Sequence, residues 1–581
     1  MSSLDIQFDF GLDIEELEKR TNSEFLVTKI LLKADAPEYL SLQEGDKQAL
    51  KYLVKAGVIL EKINLQIDNR NNIPFKLFLE KEIKKGNKQA ILTKILFDGQ
   101  KGICSLDRLS DKIYLAKGIK NNPGIGVFPE DLTKEELHKI LIKMLKEKKI
   151  TEVKDILNQR SIVLRDGEYL KSIDYVDYFK EDFAKMADLF DKASNASTNK
   201  DFNEYLQLQA KALRKADPML DAQADKKWAS LQDTPLELTL TRENYEDELT
   251  GTFIENLELK KLLEENKIIP VPKDCLGLRI GIINKKGTEK LIKIKKYLPL
   301  LASKMPYNNE YEQNISKNTE KQTKQTMVDV DLVMLAGQIG QYRSGITIAE
   351  NLPNDDKLSL TIGGGRRNVF HRQIRFISDK KKLEELLDSI LVKDQHKYYD
   401  TEARHLFVIG HENTHSLGPN KPNDKLGKYS HILEENKADM GSLSFVDILT
   451  KEGYFTEDMR KAVIITTIVD SFLKVKPTLS QAHRVRTVMQ NYYLFKRGAY
   501  DIKDGKIQVN IDKVVPAANE MLAEIIRVQI DNDINKAEKY VNDNFIWTDE
   551  MQIIGDKLKR ENRELNGKLE NELADKLLSE E

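Results

Sequence analysis

The stretch "HLFVIGHENTHSLGP", residues 405–419, restricts the fold more than any other part of the chain. Gly418-Pro419 supplies a glycine followed by a breaker, so a helix ending there is expected. At about 100° per residue, positions four apart lie roughly 40° apart on one face. His411 and His415 can therefore aim both imidazoles at one point. Eleven residues past the stop, "SHILEENKADMGSLSFVDIL" reads as a second helix, and Glu435 within it lies 20 residues after His415. That separation lets the second helix fold back beside the first. If these three side chains are to meet, the fold must pack those two helices together.

Two imidazoles and one carboxylate suit zinc and leave its fourth position open, the catalytic rather than the structural arrangement. His411, His415 and Glu435 are accordingly the candidate metal ligands. Glu412 sits about 100° round from His411, beside the metal, where a general base for a metal-bound water belongs. Zinc lowers the pKa of such a water from about 15.7 towards 7, and a carboxylate can then take its proton. Glu434 and Asp439 are placed to accept the remaining N–H of a liganding histidine. His405 falls on the far side of the helix, and His431 precedes the second helix. The plainer alternative is a surface helix with two incidental histidines, with Glu434 as one more solvated acid.

With 581 residues the chain exceeds what one core sustains, so two or more lobes are expected. The 92 basic and 94 acidic residues leave a net charge near −2. That balance argues against nucleic acid or an anionic membrane as the main partner, since both need a basic excess. Cys104 and Cys275 are too few for a disulfide framework and form no CxxC pattern. The acidic start shows no secretory pattern, and no stretch approaches 18 uninterrupted apolar residues, so a cytoplasmic protein is expected.

The first 230 or so residues mix helical segments such as "KQALKYLVKAGVIL" with others, and "DLTKEEL" offers Thr133 as an N-cap with Glu136 three residues on. "YFKEDFAKMADLFDKAS" and "DFNEYLQLQAKALRKAD" read as two antiparallel helices. "TPLELTLTREN", "CLGLRIGIINKKG" and "DKLSLTIGGGRRNVFHRQIRF" read as strands, the last around a glycine turn. From about residue 380 the pattern is almost wholly helical.

"HENTHSLGP…LEENKADMGSL" resembles the dipeptidyl-peptidase III family of zinc metallopeptidases, in which a histidine-pair helix precedes an EExxA(E/D) helix. "SGITIAENLPNDDKL" is similar to that family's substrate strand, and "QAHRVRTVMQNYYLFKRGAYDIKDGKIQV" to its Ala-His segment. "YEDEL", "VFPEDLTKEEL" and "QLQAKALRKADPMLDAQADKKW" are similar to segments of bacterial and Nudix-fused members. The resemblance covers roughly residues 55 to 560.

The resemblance implies an α+β fold of two lobes: a mixed lobe with a β-barrel core and a mostly α-helical zinc-binding lobe, separated by a wide cleft. It implies boundaries at 1–255 for the mixed lobe with its N-terminal helices and at 256–334 for part of the helical lobe, with an exposed loop near 307–326. Residues 335–380 would return to the mixed lobe with the substrate strand, 381–545 form the helical catalytic lobe, and 546–581 a charged C-terminal helix. One zinc ion per chain is implied, held by His411, His415 and Glu435, with Glu412 activating water and Glu434 and Asp439 steadying the ligands. Asn351 and Asn354 match asparagines that hold the substrate backbone, and His483 a histidine that steadies the bound peptide or the oxyanion. Without the family, "NLPND" is also a good turn and His483 an ordinary helix histidine.

Three departures stand out. The histidines here are separated by three residues, in the regular five-residue motif, where many members have one more. Leu238 lies near the place of a tyrosine that assists the animal enzymes, and Glu237 is the candidate acid for the substrate's free amine. Arg484 and Arg486 miss the animal family's arginine spacing after the histidine. The implied activity is release of dipeptides from the N-termini of short peptides by a monomer that binds neither nucleic acid nor membrane. The rival readings are another zinc aminopeptidase of the glutamate-liganded class, and a peptide-binding protein with weak or no turnover.

Overall fold

The computed structural model of the chain describes residues 7–22, 26–106, 112–120, 122–243, 249–270, 273–311, 326–337, 349–352, 362, 367–372, 380–419, 425–426, 429–473, 482–561 and 566–580. Two large hydrophobic cores, one for each expected lobe, organise most of these residues, with smaller apolar clusters beside them. Most of the described secondary structure is helical.

The first core is built around α1 (Glu44–Asp68), which buries Leu50, Leu53, Val54, Leu60 and Ile63 at helical spacing. Each such leucine or isoleucine contributes about 1.5–3 kcal/mol by leaving water. Against it packs α2 (Lys180–Ala196), which pairs with α3 (Lys200–Leu213) as expected, and α4 (Pro218–Ala229) packs in turn on α3. Asn199 begins α3 by accepting from the Phe202 amide at 3.0 Å. The capping residue expected at Thr133 is also present, accepting from the Glu136 amide at 3.2 Å.

A five-stranded sheet covers the other side of α1. Its strands are β1 (Leu236–Glu243), β2 (Cys275–Ile283), β3 (Thr326–Gly337), β4 (Ala349–Leu352) and β5 (Arg367–Arg372), in the order β1-β2-β3-β5-β4. β1, β2 and β3 run antiparallel in turn, with a bulge between Ile280 and Gly281. β3 and β5 are parallel, Arg367 opposite Thr326, and β4 closes the order antiparallel to β5 with Asn351 opposite Asn368. Among the described residues β1 and β4 are the edges of a curled half-barrel, and no pairing closes it into the expected barrel.

β3 was not expected as a strand, although "VDVDL" within it alternates. Successive strand residues point to opposite faces. Val328 and Val330 thus enter the first core, while Met327 enters the second and Asp329 shares its face. β5 divides in the same way, with Val369 in the first core and Phe370 in the second. These two strands form the seam between the lobes.

The second core is helical and includes α5 (Thr401–His415), α6 (Tyr429–Ser444), α7 (Ala482–Lys496) and α8 (Ile511–Asp531). Two expected boundaries are corrected by packing. Leu259, Leu263, Ile268 and β2 belong to the first core, so within 256–334 the second core takes Leu291 to Met305 and Met327. The C-terminal stretch is not one charged helix either. It forms a helix over Asp549–Glu561, a strand over Asn566–Glu570 parallel to Leu26–Ile30, and a helix over Glu572–Ser579. Leu573, Ala574 and Leu577 share a face of that last helix and bury it in the first core, which outweighs the solvation of its acids. Of the expected loop near 307–326, residues 312–325 lie outside the described ones. No helix among the described residues is long and apolar enough to cross a membrane.

Candidate metal centre

α5 starts where Asp400 accepts from the Glu402 amide at 2.9 Å and ends at His415, with Gly418 turning the chain at a φ of 97°. Two glycines let α5 and α6 approach closely. A methyl group at Gly410 would lie 2.3 Å from Ser442 Oγ, and one at Gly441 would lie 2.3 Å from the Thr414 side chain. Thr414 and Ser442 are buried, so neither neighbour has room to give way. This close contact brings the following turn of α5 against the first turns of α6, where the functional side chains lie.

His411, His415 and Glu435 converge there, their donor atoms all within 4.8 Å of one another. The two Nε2 atoms are 3.1 Å apart; Glu435 Oε2 is 3.6 Å from His411 Nε2 and Oε1 is 3.8 Å from His415 Nε2. The opposite ring nitrogens are held by carboxylates: His411 Nδ1 by Asp439 Oδ1 at 2.7 Å and His415 Nδ1 by Glu434 Oε1 at 2.9 Å. A carboxylate at each Nδ1 fixes the tautomer with the proton there, so both Nε2 lone pairs face the shared point. This donor set fits zinc on the chemistry of its atoms: two imidazole nitrogens and a carboxylate oxygen, oriented by hydrogen bonds behind them.

The carboxylates stay charged despite their surroundings. Burial pushes Glu434 up, but Lys437 and His415 outweigh it and hold its carboxyl at about 2. Lys437 Nζ reaches Glu434 Oε1 at 2.8 Å and the Leu417 carbonyl at 2.7 Å, while Gln529 from α8 donates to Glu434 Oε2 at 3.2 Å. Burial likewise opposes ionisation of Asp439, and Arg486 and His411 together keep it well below the usual carboxylate range. On His411, burial alone would lower the basicity of the imidazole; Asp439 more than reverses this.

The other expected residues are placed less uniformly. Glu412 is half-buried on the turn between the two histidines. Asn351 lies on β4, which packs against α5, and His483 lies in the first turn of α7; the structure describes only their backbones. Asn354 and the "YEDE" segment lie outside the described residues. His405 is 3.5 Å from Asp329 on β3 and stands edge-on to Phe370, facing the seam and not the metal set. His431 is exposed.

Glu237 requires correction as an amine-binding acid. It is 1 % exposed, and both of its oxygens are engaged. Oε1 accepts from Trp228 Nε1 at 2.7 Å and from Thr239 Oγ1 at 2.9 Å, and Oε2 accepts from Arg367 Nη2 at 2.7 Å. The fully buried Arg367 demands a counter-charge, and Glu237 supplies it inside the first lobe. Leu238 beside it is core.

Sequence reasoning missed Lys437, Gln529 and Gln490 around the set, and named Arg486 without placing it there. Arg486 Nη1 donates to Glu435 Oε2, and Gln490 Nε2 donates to Asp439 Oδ2 at 3.0 Å. The available signal was spacing, since Arg486 and Gln490 are four apart on a helix that opens with His483.

No family model matches the chain. It is 23% identical over 449 residues to "Nudix hydrolase 3" of Arabidopsis thaliana, across 72% of this chain and 54% of that protein, so the chain spans about half the length of that relative. Among solved structures it is similar to DPP III from Caldithrix abyssi, with a TM-score of 0.78 and 21% identity over 96% of this chain and 100% of the other. It is also similar to dipeptidyl-peptidase III from Corallococcus sp. strain EGB, with a TM-score of 0.73 and 19% identity over 98% and 99%. The resemblance read from the histidine and glutamate motifs thus holds in three dimensions, and the chain has the fold of the dipeptidyl-peptidase III family over nearly its whole length.

Proposed function

We propose that the chain is a zinc-dependent exopeptidase that releases dipeptides from the N-termini of short peptides. The observation that carries this reading is the convergence of His411, His415 and Glu435, two of them on α5, a helix that packs against the edge strand β4. When bound, zinc would polarise a peptide carbonyl and acidify a water at this point.

The chain's own residues do the rest. Glu412, between the two ligating histidines, takes the proton from the attacking water and passes it to the leaving amine. Asp439 and Glu434 keep the imidazoles turned inward throughout. An extended peptide lies in a wide cleft between the lobes and adds to the edge of β4 by main-chain pairing, with Asn351 and Asn354 holding its backbone. His483, at the start of α7, steadies the bound peptide or the developing oxyanion. The reading includes a monomer acting on free peptides in the cytoplasm, where the buried thiol of Cys104 stays reduced.

Mass spectrometry of products from a mixed library of short peptides, given to zinc-loaded protein, tests the proposal. Products two residues shorter, with N-acetylated peptides resistant, are expected. Single-residue release would assign an aminopeptidase instead, equal cleavage of blocked peptides an endopeptidase, and binding without cleavage a peptide-binding protein.

A further inference from the structure

Arg486 reaches the metal set from α7, a helix that carries none of the three donor atoms. Its Nη1 donates to Glu435 Oε2, and its Nε stands 3.1 Å from Asp439 Oδ2. The two acids it spans have different tasks. Glu435 faces both imidazoles as the third donor, whereas Asp439 aims His411 through Nδ1. One guanidinium therefore stands against both acids, hydrogen-bonded to a donor and in ion-pair contact with the group that orients a second donor. Gln490, one turn further along α7, fixes the same Asp439 oxygen at 3.0 Å and also reaches Asn436 Oδ1 at 3.0 Å.

The planar fork of arginine is suited to spanning two carboxylates in a set geometry, and a lysine ammonium on its flexible stem is not. Simple charge neutralisation needs no such fork. Lys437 already supplies a nearly buried cation to Glu434 on the other flank of the site. A second cation 3.1 Å from Asp439 also repels an incoming dication, so its value to the site lies in geometry.

We propose that Arg486 is a positioning residue that fixes how Glu435 meets a metal. By engaging Oε2, which lies 3.6 Å from His411 Nε2, it would leave Oε1, 3.8 Å from His415 Nε2, as the oxygen free to take a metal. A carboxylate that gave both oxygens would use a further coordination position, the one that a catalytic site keeps for water or substrate. The inference rests on the metal-centre reading above and adds the residue that keeps that position open.

The test compares the full-length wild type with Arg486→Lys and Arg486→Met, with Glu435→Ala as the low-affinity reference. Zinc affinity is measured by competition with a chromophoric chelator, and coordination by the visible spectrum after Co²⁺ loading. Both arginine variants should lose about 10- to 100-fold in zinc affinity, the usual cost of removing a group behind a metal ligand. Their Co²⁺ bands should weaken towards the five-coordinate form. If Arg486→Met does not fold, Arg486→Lys decides alone, because it keeps the charge and most of the stem. A folded lysine variant with wild-type affinity and spectrum overturns the proposal, since it reduces Arg486 to a neutralising charge. A wild-type chain that takes up neither metal overturns the metal centre itself, a distinguishable result.

Discussion

Asp439 Oδ1 and His411 Nδ1 meet at 2.7 Å across the α5–α6 contact, with the carboxylate charged and the imidazole made more basic. The proton on Nδ1 turns the Nε2 lone pair towards Glu435 and His415. Asp439→Asn should therefore keep the fold and lose about 10- to 100-fold in zinc affinity, measured by chelator competition. Affinity equal to wild type would remove the orienting role.

Glu412 is half-buried between His411 and His415 and is not one of the three converging residues. Glu412→Gln preserves shape and removes the base. Zinc uptake should be unchanged while turnover of short peptides falls by about 100- to 10,000-fold, the range for a lost general base. Steady-state peptide cleavage on zinc-titrated protein checks both halves, and normal turnover would reassign the proton transfer.

The Glu237–Arg367 pair is a stability element of the first lobe. Arg367→Met strands a buried carboxylate and should cost about 3–5 kcal/mol in urea unfolding, with zinc affinity unaltered in the folded protein. A drop in peptide affinity with stability intact would return Glu237 to the substrate.

Asp331 lies on β3 near the seam, where it accepts from Asn284 Nδ2 at 2.9 Å. Burial, then the neighbouring Asp329, pushes its carboxyl up to about 6, against the lowering effect of Asn284. A raised folded value means that the native state holds the proton more tightly. The stabilisation is full below about pH 4 and is lost as pH rises through about 6. Asp331→Asn, neutral at every pH, should match wild type near pH 4 and exceed it by about 2–3 kcal/mol at pH 8. Urea unfolding across that range measures the difference; parallel curves would show that Asp331 titrates normally.

Much of the site was legible because its information is local. His411 and His415 share a face by helix geometry alone, and Gly418-Pro419 marks the end of that helix whatever it packs against. The cap at Thr133 is likewise decided by a neighbour three residues away. Glu435, Glu434 and Asp439 could be named because one loop separates their helix from the first.

What remained hidden depends on partners far along the chain. Glu237 looked available until Arg367, 130 residues away, came to rest against it, since a buried guanidinium must find a counter-charge. "MVDVDLV" reads as a seam strand only once its aspartate face meets Arg372 and His405 from other elements. Arg486 gained its place when α7 docked beside α6, and the C-terminal helix joined the first core because its leucines found an apolar surface there. The sequence by itself determined the two-helix histidine and glutamate motif, which hydrogen bonding and side-chain period specify within a few turns. The tertiary structure alone decided which charges are paired with each other and which face the metal position, because desolvation energies depend on what is packed alongside.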